Sequence, residues 1–171
     1  MNRKLHLALL VILGLTLSAC SGKKEQVVVP DDSNESGMVD TNAYGTGLSA
    51  EELAALGIMG NPLDYTTLYF EYNSTAIDQR SDVIARAHAR ALEQRGGAPV
   101  TLEGHADERG TRDYNLALGE RRAQAVAALM SATGAGGSTF TNFSYGEERP
   151  VDAAHNEGAW QKNRRVEIIF K

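Results

Sequence analysis

Gly104-His105-Ala106-Asp107-Glu108-Arg109-Gly110-Thr111-Arg112-Asp113-Tyr114-Asn115-Leu116-Ala117-Leu118-Gly119-Glu120-Arg121-Arg122-Ala123 is the stretch from which the fold can be worked out. Val100-Thr101-Leu102-Glu103-Gly104, which leads into it, alternates apolar and polar residues with the period of a strand. His105 to Arg112 is polar and contains Gly110, the composition of a loop. Asp113 can cap a helix running to about Ala132, with Leu118, Val126 and Leu129 on its inner side, before Gly134, Gly136 and Gly137 break it. The core of the sequence is therefore strand, polar turn, long helix.

The same alternation of element types extends outward on both sides. Upstream, Thr67-Leu68-Tyr69-Phe70-Glu71-Tyr72 is alternating and aromatic and predicts a first strand, followed by a loop over Asn73 to Asp78. Gln79 to Arg95 reads as a helix with Ile84, Ala87, Ala91 and Leu92 on one face, stopped by Gly96 and Gly97. Downstream, Phe140 to Tyr145 reads as a third strand, Gly146 to Lys162 as irregular chain, and Arg164 to Phe170 as the last strand. The order β-α-β-α-β-β implies crossover connections. It therefore predicts an α/β (α+β sandwich) domain, a mixed sheet with helices packed on one face. Residues 66–171 suffice for one core. Ahead of them, Ser49-Ala50-Glu51-Glu52 is a capping box that opens a short helix with Leu53, Ala54 and Leu56 as its apolar positions, ended by Gly57 and Gly60 within a connecting segment 48–65.

The N-terminal part has a different character. Arg3 and Lys4 precede an apolar run from Leu5 to Leu17, and Leu17-Ser18-Ala19-Cys20 follows. A basic start, a short apolar core and small residues before a cut predict a signal peptide over residues 1–19. The run is too short for comfortable bilayer crossing, which takes about 20 residues. Residues 20–47 are dominated by Ser, Gly, Asn, Asp and Thr after Cys20. They offer too little apolar surface to offset chain entropy, so a disordered tether is expected. Its coil dimension is roughly 30 Å. Cys20 is the only cysteine in the 171 residues, so no intramolecular disulfide can form. Formal charge is -5, and removal of residues 1–19 takes away Arg3 and Lys4 and no acid, leaving about -7. That balance speaks against nucleic acid as a partner and against a broad electrostatic hold on anionic lipid.

The chemistry concentrates in the quoted stretch. A chain turning into a helix N-terminus presents unpaired N–H groups and partial positive charge, which favour a carboxylate. Asp107 stands just before that turn. Asn115, Leu118 and Arg122 are spaced i, i+3, i+7 and share a helix face that can look back at it. One fixed anion and one fork-shaped cation beside the same concavity suit a zwitterion, the aspartate taking an ammonium and the arginine a carboxylate. Neither residue belongs to the apolar pattern, so either is expected to be replaceable without loss of the fold.

These residues resemble the signature of the OmpA-like domain family, and in detail its peptidoglycan-associated lipoprotein branch. The resemblance rests on Gly104 to Thr111, Tyr114-Asn115 and Gly119 to Ala123, and continues in Tyr69-Phe70-Glu71-Tyr72, Ser144 to Pro150 and Lys162 to Val166. It covers roughly residues 66–171. Leu17-Ser18-Ala19-Cys20 likewise resembles the bacterial lipobox, in which the cysteine is acylated and becomes the first residue. Several acyl chains on one cysteine hold far more firmly than a single myristoyl, at about 0.8 kcal/mol per buried CH₂. The resemblance implies an OmpA-like fold and a domain that binds meso-diaminopimelate of the peptidoglycan stem peptide. Asp107 and Arg122 would hold its free zwitterionic end, with Asn115, Leu118, Phe70 and Glu71 beside them. It also implies an outer-membrane lipid anchor on Cys20, with Ser21 rather than an inner-membrane-retaining aspartate behind it, and a domain in the periplasm. TolB and the other Tol proteins are the implied partners, in a role maintaining envelope integrity and constriction at division. A general wall anchor without the Tol role is the alternative. One departure stands out: the branch usually carries aspartate at both acidic positions of the first aromatic run, where this chain has Glu71 and Asn73.

Catalysis finds little support. Glu103, His105, Asp107 and Glu108 crowd one segment, but a catalytic metal needs about three converging protein ligands, and nothing in the sequence fixes His88 or His155 near them. His105 is expected to bond to backbone in its turn. No Gly-x-Ser-x-Gly elbow is present. No metal, no cofactor and no enzymatic activity are predicted, with a peptidoglycan hydrolase as the enzymatic rival. Arg164 and Arg165 are read as structural or rim charges, and Trp160 as packing over the sheet edge.

Overall fold

In a computed structural model of the chain, residues 46–171 are described. The signal peptide 1–19, Cys20 and nearly all of the tether 20–47 lie outside the described residues.

Helix α1 (Ala50–Ala55) opens on the expected capping box: Glu52 N–H donates to Ser49 Oγ at 3.2 Å, and Ser49 N–H donates to Glu52 Oε2 at 2.8 Å. Of its apolar positions, Leu53 is buried and Ala54 is exposed. Strand β1 (Thr67–Tyr69) leads to helix α2 (Gln79–Gln94), capped by Asp78, whose carboxylate accepts from Ser81 N–H at 2.7 Å. Strand β2 (Pro99–His105), helix α3 (Arg112–Ala132), strand β3 (Thr139–Gly146), helix α4 (Glu157–Asn163) and strand β4 (Arg165–Phe170) complete the domain.

The sheet order is β1-β4-β2-β3, with β2 and β3 parallel and β4 antiparallel to both β1 and β2. This is the mixed sheet that the element order predicts. Alternation along the strands sends Leu68, Val100, Leu102, Val166 and Ile168 into one core with Val83, Ile84, Leu92, Val126 and Met130 of α2 and α3. Thr101, Glu103, His105, Arg165 and Glu167 belong to the opposite alternation.

Three elements differ from the sequence reading. First, β1 is three residues long. Phe70 N–H still donates to Arg164 O at 2.9 Å, but the chain then turns over Glu71 to Ser74, with Asn73 at φ +53°. Asparagine tolerates that left-handed conformation because its short amide can bond locally. Second, α3 starts earlier, because Thr111 rather than Asp113 is its cap; Thr111 Oγ1 accepts from Tyr114 N–H at 3.2 Å. Asp113 stays in the first turn, where its charge complements the helix dipole. Third, residues expected to be irregular contain α4, capped by Asn156 accepting from Ala159 N–H at 3.0 Å. With Ala159 as its one buried apolar residue, α4 has no hydrophobic period to read.

One close approach fixes where the site forms. A Cβ on Gly104 would stand 1.9 Å from the carbonyl oxygen of Gly119, so β2 and α3 touch backbone to backbone at this point. Immediately beyond it the β2–β3 register shifts by one, and His105 pairs with Gly146. Bulges of this kind re-aim the chain next to sites. Here the shift delivers Ala106 and Asp107 to the N-terminal end of α3, with Ala106 N–H donating to Gly146 O at 2.8 Å.

Candidate functional site

Asp107, just past the end of β2, is almost fully buried, and its carboxylate accepts four hydrogen bonds. Oδ1 accepts from Arg109 N at 3.0 Å and Arg109 Nε at 3.2 Å, and Oδ2 from Arg109 Nη2 at 2.7 Å and Arg164 Nη1 at 3.1 Å. Burial alone pushes its pKa up. The side-chain and backbone hydrogen bonds of Arg109, with that of Arg164, outweigh this and hold the carboxyl below the ordinary carboxylate range.

Arg122 is 0% exposed. Its Nε donates to Ser74 O at 2.9 Å, Nη1 to His105 O at 2.7 Å and Nη2 to Glu71 O at 3.1 Å, while its guanidinium lies 5.2 Å from the centre of the Phe70 ring. It thus ties the turn after β1 to the end of β2. Although it stands outside the apolar pattern, its charge is in the interior, bonded to three backbone carbonyls, so its replacement is expected to cost stability. Burial pulls its pKa down to about 10, partly opposed by Asp107, so it remains protonated at neutral pH. Three of its five N–H groups are engaged by these carbonyls.

Asp107 and Arg122 both line a cavity of about 200 Å³ at the N-terminal end of α3, together with Tyr72, Asn73, Arg109, Gly110, Tyr114, Asn115, Leu118 and Arg164. Asn115 is buried and works as a clamp, its amide donating to Asp107 O at 3.0 Å and to the carboxylate of Glu147. Leu118 supplies apolar wall. Phe70 is buried beneath Arg122 and does not line the cavity; the Glu71 side chain is exposed and does not line it either. The short β1 is the reason, since the chain has already turned at Glu71 and offers its carbonyl, not its carboxylate, to Arg122. Asn73, at the departure from the branch's pattern, does line the cavity and bonds to the Tyr114 hydroxyl.

Two residues at this site carry more than the sequence reading gave them. Arg164 is no rim charge: at 1% exposure it donates to Asp107, to Phe70 O at 3.0 Å, to Glu157 at 2.8 Å and to Gln161. Its place at the last residue before β4 sets it beside the end of β1, a neighbourhood that no local spacing reveals. Arg109 lies between two aromatic rings, 4.1 Å from the centre of Tyr72 and 4.2 Å from that of Trp160. Trp160 packs on Arg109, and its indole N–H donates to Glu108 at 2.8 Å. His105 also departs from expectation. It stacks on Tyr145 with 5.5 Å between ring centres, and neither ring nitrogen has a hydrogen-bond partner among the described residues. Burial first, then the nearby charge of Arg165, lowers its pKa to about 4, so it is neutral at pH 7.

Electrostatically, the cavity wall carries three guanidinium groups against one carboxylate, beside the positive end of α3. It favours a ligand with at least one carboxylate, and Asp107 supplies a counter-charge for a cation on the same ligand. Among the described residues, no group of three or more His, Cys, Asp or Glu side chains is arranged to hold a metal ion. Nor is any described helix long and apolar enough to cross a membrane.

Residues 69–164 match the model of the OmpA family. The chain is 42% identical over 144 residues to a peptidoglycan-associated lipoprotein of Pseudomonas putida, covering 81% of this chain and 82% of that one. It is 41% identical over 157 residues to a peptidoglycan-associated lipoprotein of Pseudomonas aeruginosa, covering 91% and 92%. Among solved structures, the peptidoglycan-associated lipoprotein of Burkholderia pseudomallei superposes with a TM-score of 0.63 at 34% identity, over 66% of this chain and 95% of that one. The C-terminal domain of Helicobacter pylori MotB shares the fold, with a TM-score of 0.53 at 24% identity over 63% and 84%.

Proposed function

Because the chain belongs to the OmpA family, and within it to the peptidoglycan-associated lipoproteins, we propose that it is a non-enzymatic tether between the outer membrane and the cell wall. Its folded domain binds the peptidoglycan stem peptide through the free end of meso-diaminopimelate. The observation that carries this reading is the pairing of Asp107 and Arg122 on one cavity whose wall is otherwise rich in guanidinium.

The chemistry follows from the geometry. The ligand's free end is a carbon bearing an ammonium and a carboxylate. Asp107 is the cavity's anion and receives the ammonium. Arg122, locked in place by three backbone carbonyls, offers its two remaining N–H groups to the carboxylate with little orientational entropy left to lose. The buried Arg164 adds a second fixed positive charge behind Asp107. Leu118 packs on the ligand's methylene chain, and Asn115 holds the Asp107 backbone where the ammonium arrives. Phe70 and Glu71 act behind Arg122, not on the ligand.

In this proposal acyl chains on Cys20 hold the protein in the outer membrane, and residues 20–47 span part of the periplasm. The Tol proteins, TolB among them, are its partners. The relatives, peptidoglycan-associated lipoproteins by name, support an envelope role; capture of TolB by the purified chain separates a Tol-linked tether from a general wall anchor. The wall-binding claim is tested by sedimenting the full chain with purified sacculi of the diaminopimelate type. The chain is expected to co-sediment and to release no soluble wall fragments on prolonged incubation. Protein left in the supernatant would overturn the binding claim, and released fragments would restore the hydrolase alternative.

A further inference from the structure

Asp107 has no vacancy for an ammonium. An ionised carboxylate offers about four lone-pair positions, and all four are in use: two on Oδ1 by Arg109 N and Nε, two on Oδ2 by Arg109 Nη2 and Arg164 Nη1. A ligand cation must therefore displace one of these donors. They are not equally removable. The Arg164 side chain is 2% exposed and is held besides by Phe70 O, Glu157 and Gln161. The Arg109 backbone N–H is fixed by the turn. The Arg109 side chain is 28% exposed, faces the cavity, and has other holds that do not involve Asp107: Glu157 at 3.3 Å and the rings of Tyr72 and Trp160 on either side.

We propose that the Arg109 guanidinium is an exchangeable internal counter-ion of Asp107, which the ligand's ammonium replaces while Tyr72, Trp160 and Glu157 keep the displaced guanidinium beside the cavity. The inference rests on the reading of the cavity as a zwitterion site and adds a residue that sets its specificity. Replacing two existing hydrogen bonds by those of an ammonium is an exchange, with little net gain. A bare amine thus wins little and also brings a fourth positive charge into a wall that already holds three guanidinium groups against one carboxylate. A ligand whose ammonium is accompanied by a carboxylate adds no net charge and places that carboxylate among the guanidinium groups. Arg109 accordingly works as a positioning residue: through Asp107 it makes the cavity select a zwitterion over a simple amine.

The test uses the full chain and two peptides, alanyl-γ-glutamyl-diaminopimelate and the same peptide with lysine in place of diaminopimelate. Arg109→Gln frees Asp107 and removes one positive charge. Its affinity for the lysine peptide should rise about tenfold, the equivalent of one charge-assisted hydrogen bond. Affinity for the diaminopimelate peptide should rise much less, so the ratio between the two peptides shrinks by nearly that factor. Arg109→Lys, which keeps the charge, should retain most of the discrimination. Trp160 is the only tryptophan in the sequence and lies against Arg109, so its emission reports the exchange. Ligand should change that emission in the wild-type chain and leave it unchanged in Arg109→Gln. A purely structural role would lower the melting temperature without altering the ratio. An unchanged ratio, or weaker binding of both peptides by Arg109→Gln, would overturn the proposal while leaving the zwitterion site intact. A wild-type chain that binds neither peptide would overturn the site reading and this inference with it.

Discussion

Replacing Arg122 by alanine is expected to cost about 3 kcal/mol of stability, quite apart from any effect on ligand. The residue is completely buried and donates three hydrogen bonds, to the carbonyls of Glu71, Ser74 and His105. At about 1.5–3 kcal/mol for a hydrogen bond to a charged group, these sum to roughly 4–9 kcal/mol. Against them stands the burial of the charge. A pKa held down from 12.5 to about 10 corresponds to roughly 3 kcal/mol of penalty on the charged form relative to water. The difference leaves a net contribution of about 1–6 kcal/mol, with a centre near 3. The turn over Glu71 to Ser74 would also lose its tie to β2. Urea unfolding followed by Trp160 emission and helical circular dichroism measures this. With a slope of about 2 kcal/mol/M, the midpoint should fall by about 1.5 M. A midpoint within about 0.3 M of wild type would refute the assignment of Arg122 as a structural tie. The result also bears on binding assays, because loss of ligand by Arg122→Ala reports on the carboxylate contact only under conditions where the variant is folded.

Three other perturbations test separate parts of the account. Asp107 has a pKa lowered in the folded state, so its contribution to stability is present above its unfolded pKa near 4 and is lost as pH falls through the lower folded value; thermal melts from pH 6 downward should show a steeper acid loss in wild type than in Asp107→Asn, and equal slopes would contradict the paired carboxylate. Gly104→Ala places a Cβ 1.9 Å from Gly119 O and should abolish the fold or lower the melting temperature by more than about 10 °C, whereas Gly136→Ala, whose Cβ meets nothing closer than Ser131 O at 3.6 Å, should melt within a few degrees of wild type. Cys20→Ser should take up no labelled fatty acid in cells, and label entering that variant would remove the lipobox reading.

The fold was legible where apolar periodicity is long. α2 runs for 16 residues with a clear apolar face, and Val100-Leu102 and Val166-Ile168 alternate cleanly; α3, at 21 residues, is marked by its length and its glycine stop, since its buried face includes Asn115, Gly119 and Arg122. Short elements without a period escaped: α4 has one buried apolar residue, and β1 stops where Asn73 takes a left-handed turn. At the site, Asp107 and Arg122 lie 15 residues apart in one strand–turn–helix unit, so local geometry brought them to notice. Arg164 comes to Asp107 from 57 residues away, and Trp160 reaches Glu108 across 52. Contacts of that range depend on sheet order, which the strand patterns leave open. Arg109 was visible within the signature, but only its place between two rings and against Asp107 gives it a role.

The central claim is that one cavity reads both charges of the free end of diaminopimelate, and calorimetry of the full chain with the diaminopimelate and lysine stem peptides tests it most directly. The lysine peptide keeps the ammonium and loses the carboxylate that Arg122 is assigned, so it should bind weaker by about 2 kcal/mol or more, roughly thirtyfold. Equal affinity for the two peptides would contradict the account, because it would mean that Arg122 does not read the carboxylate.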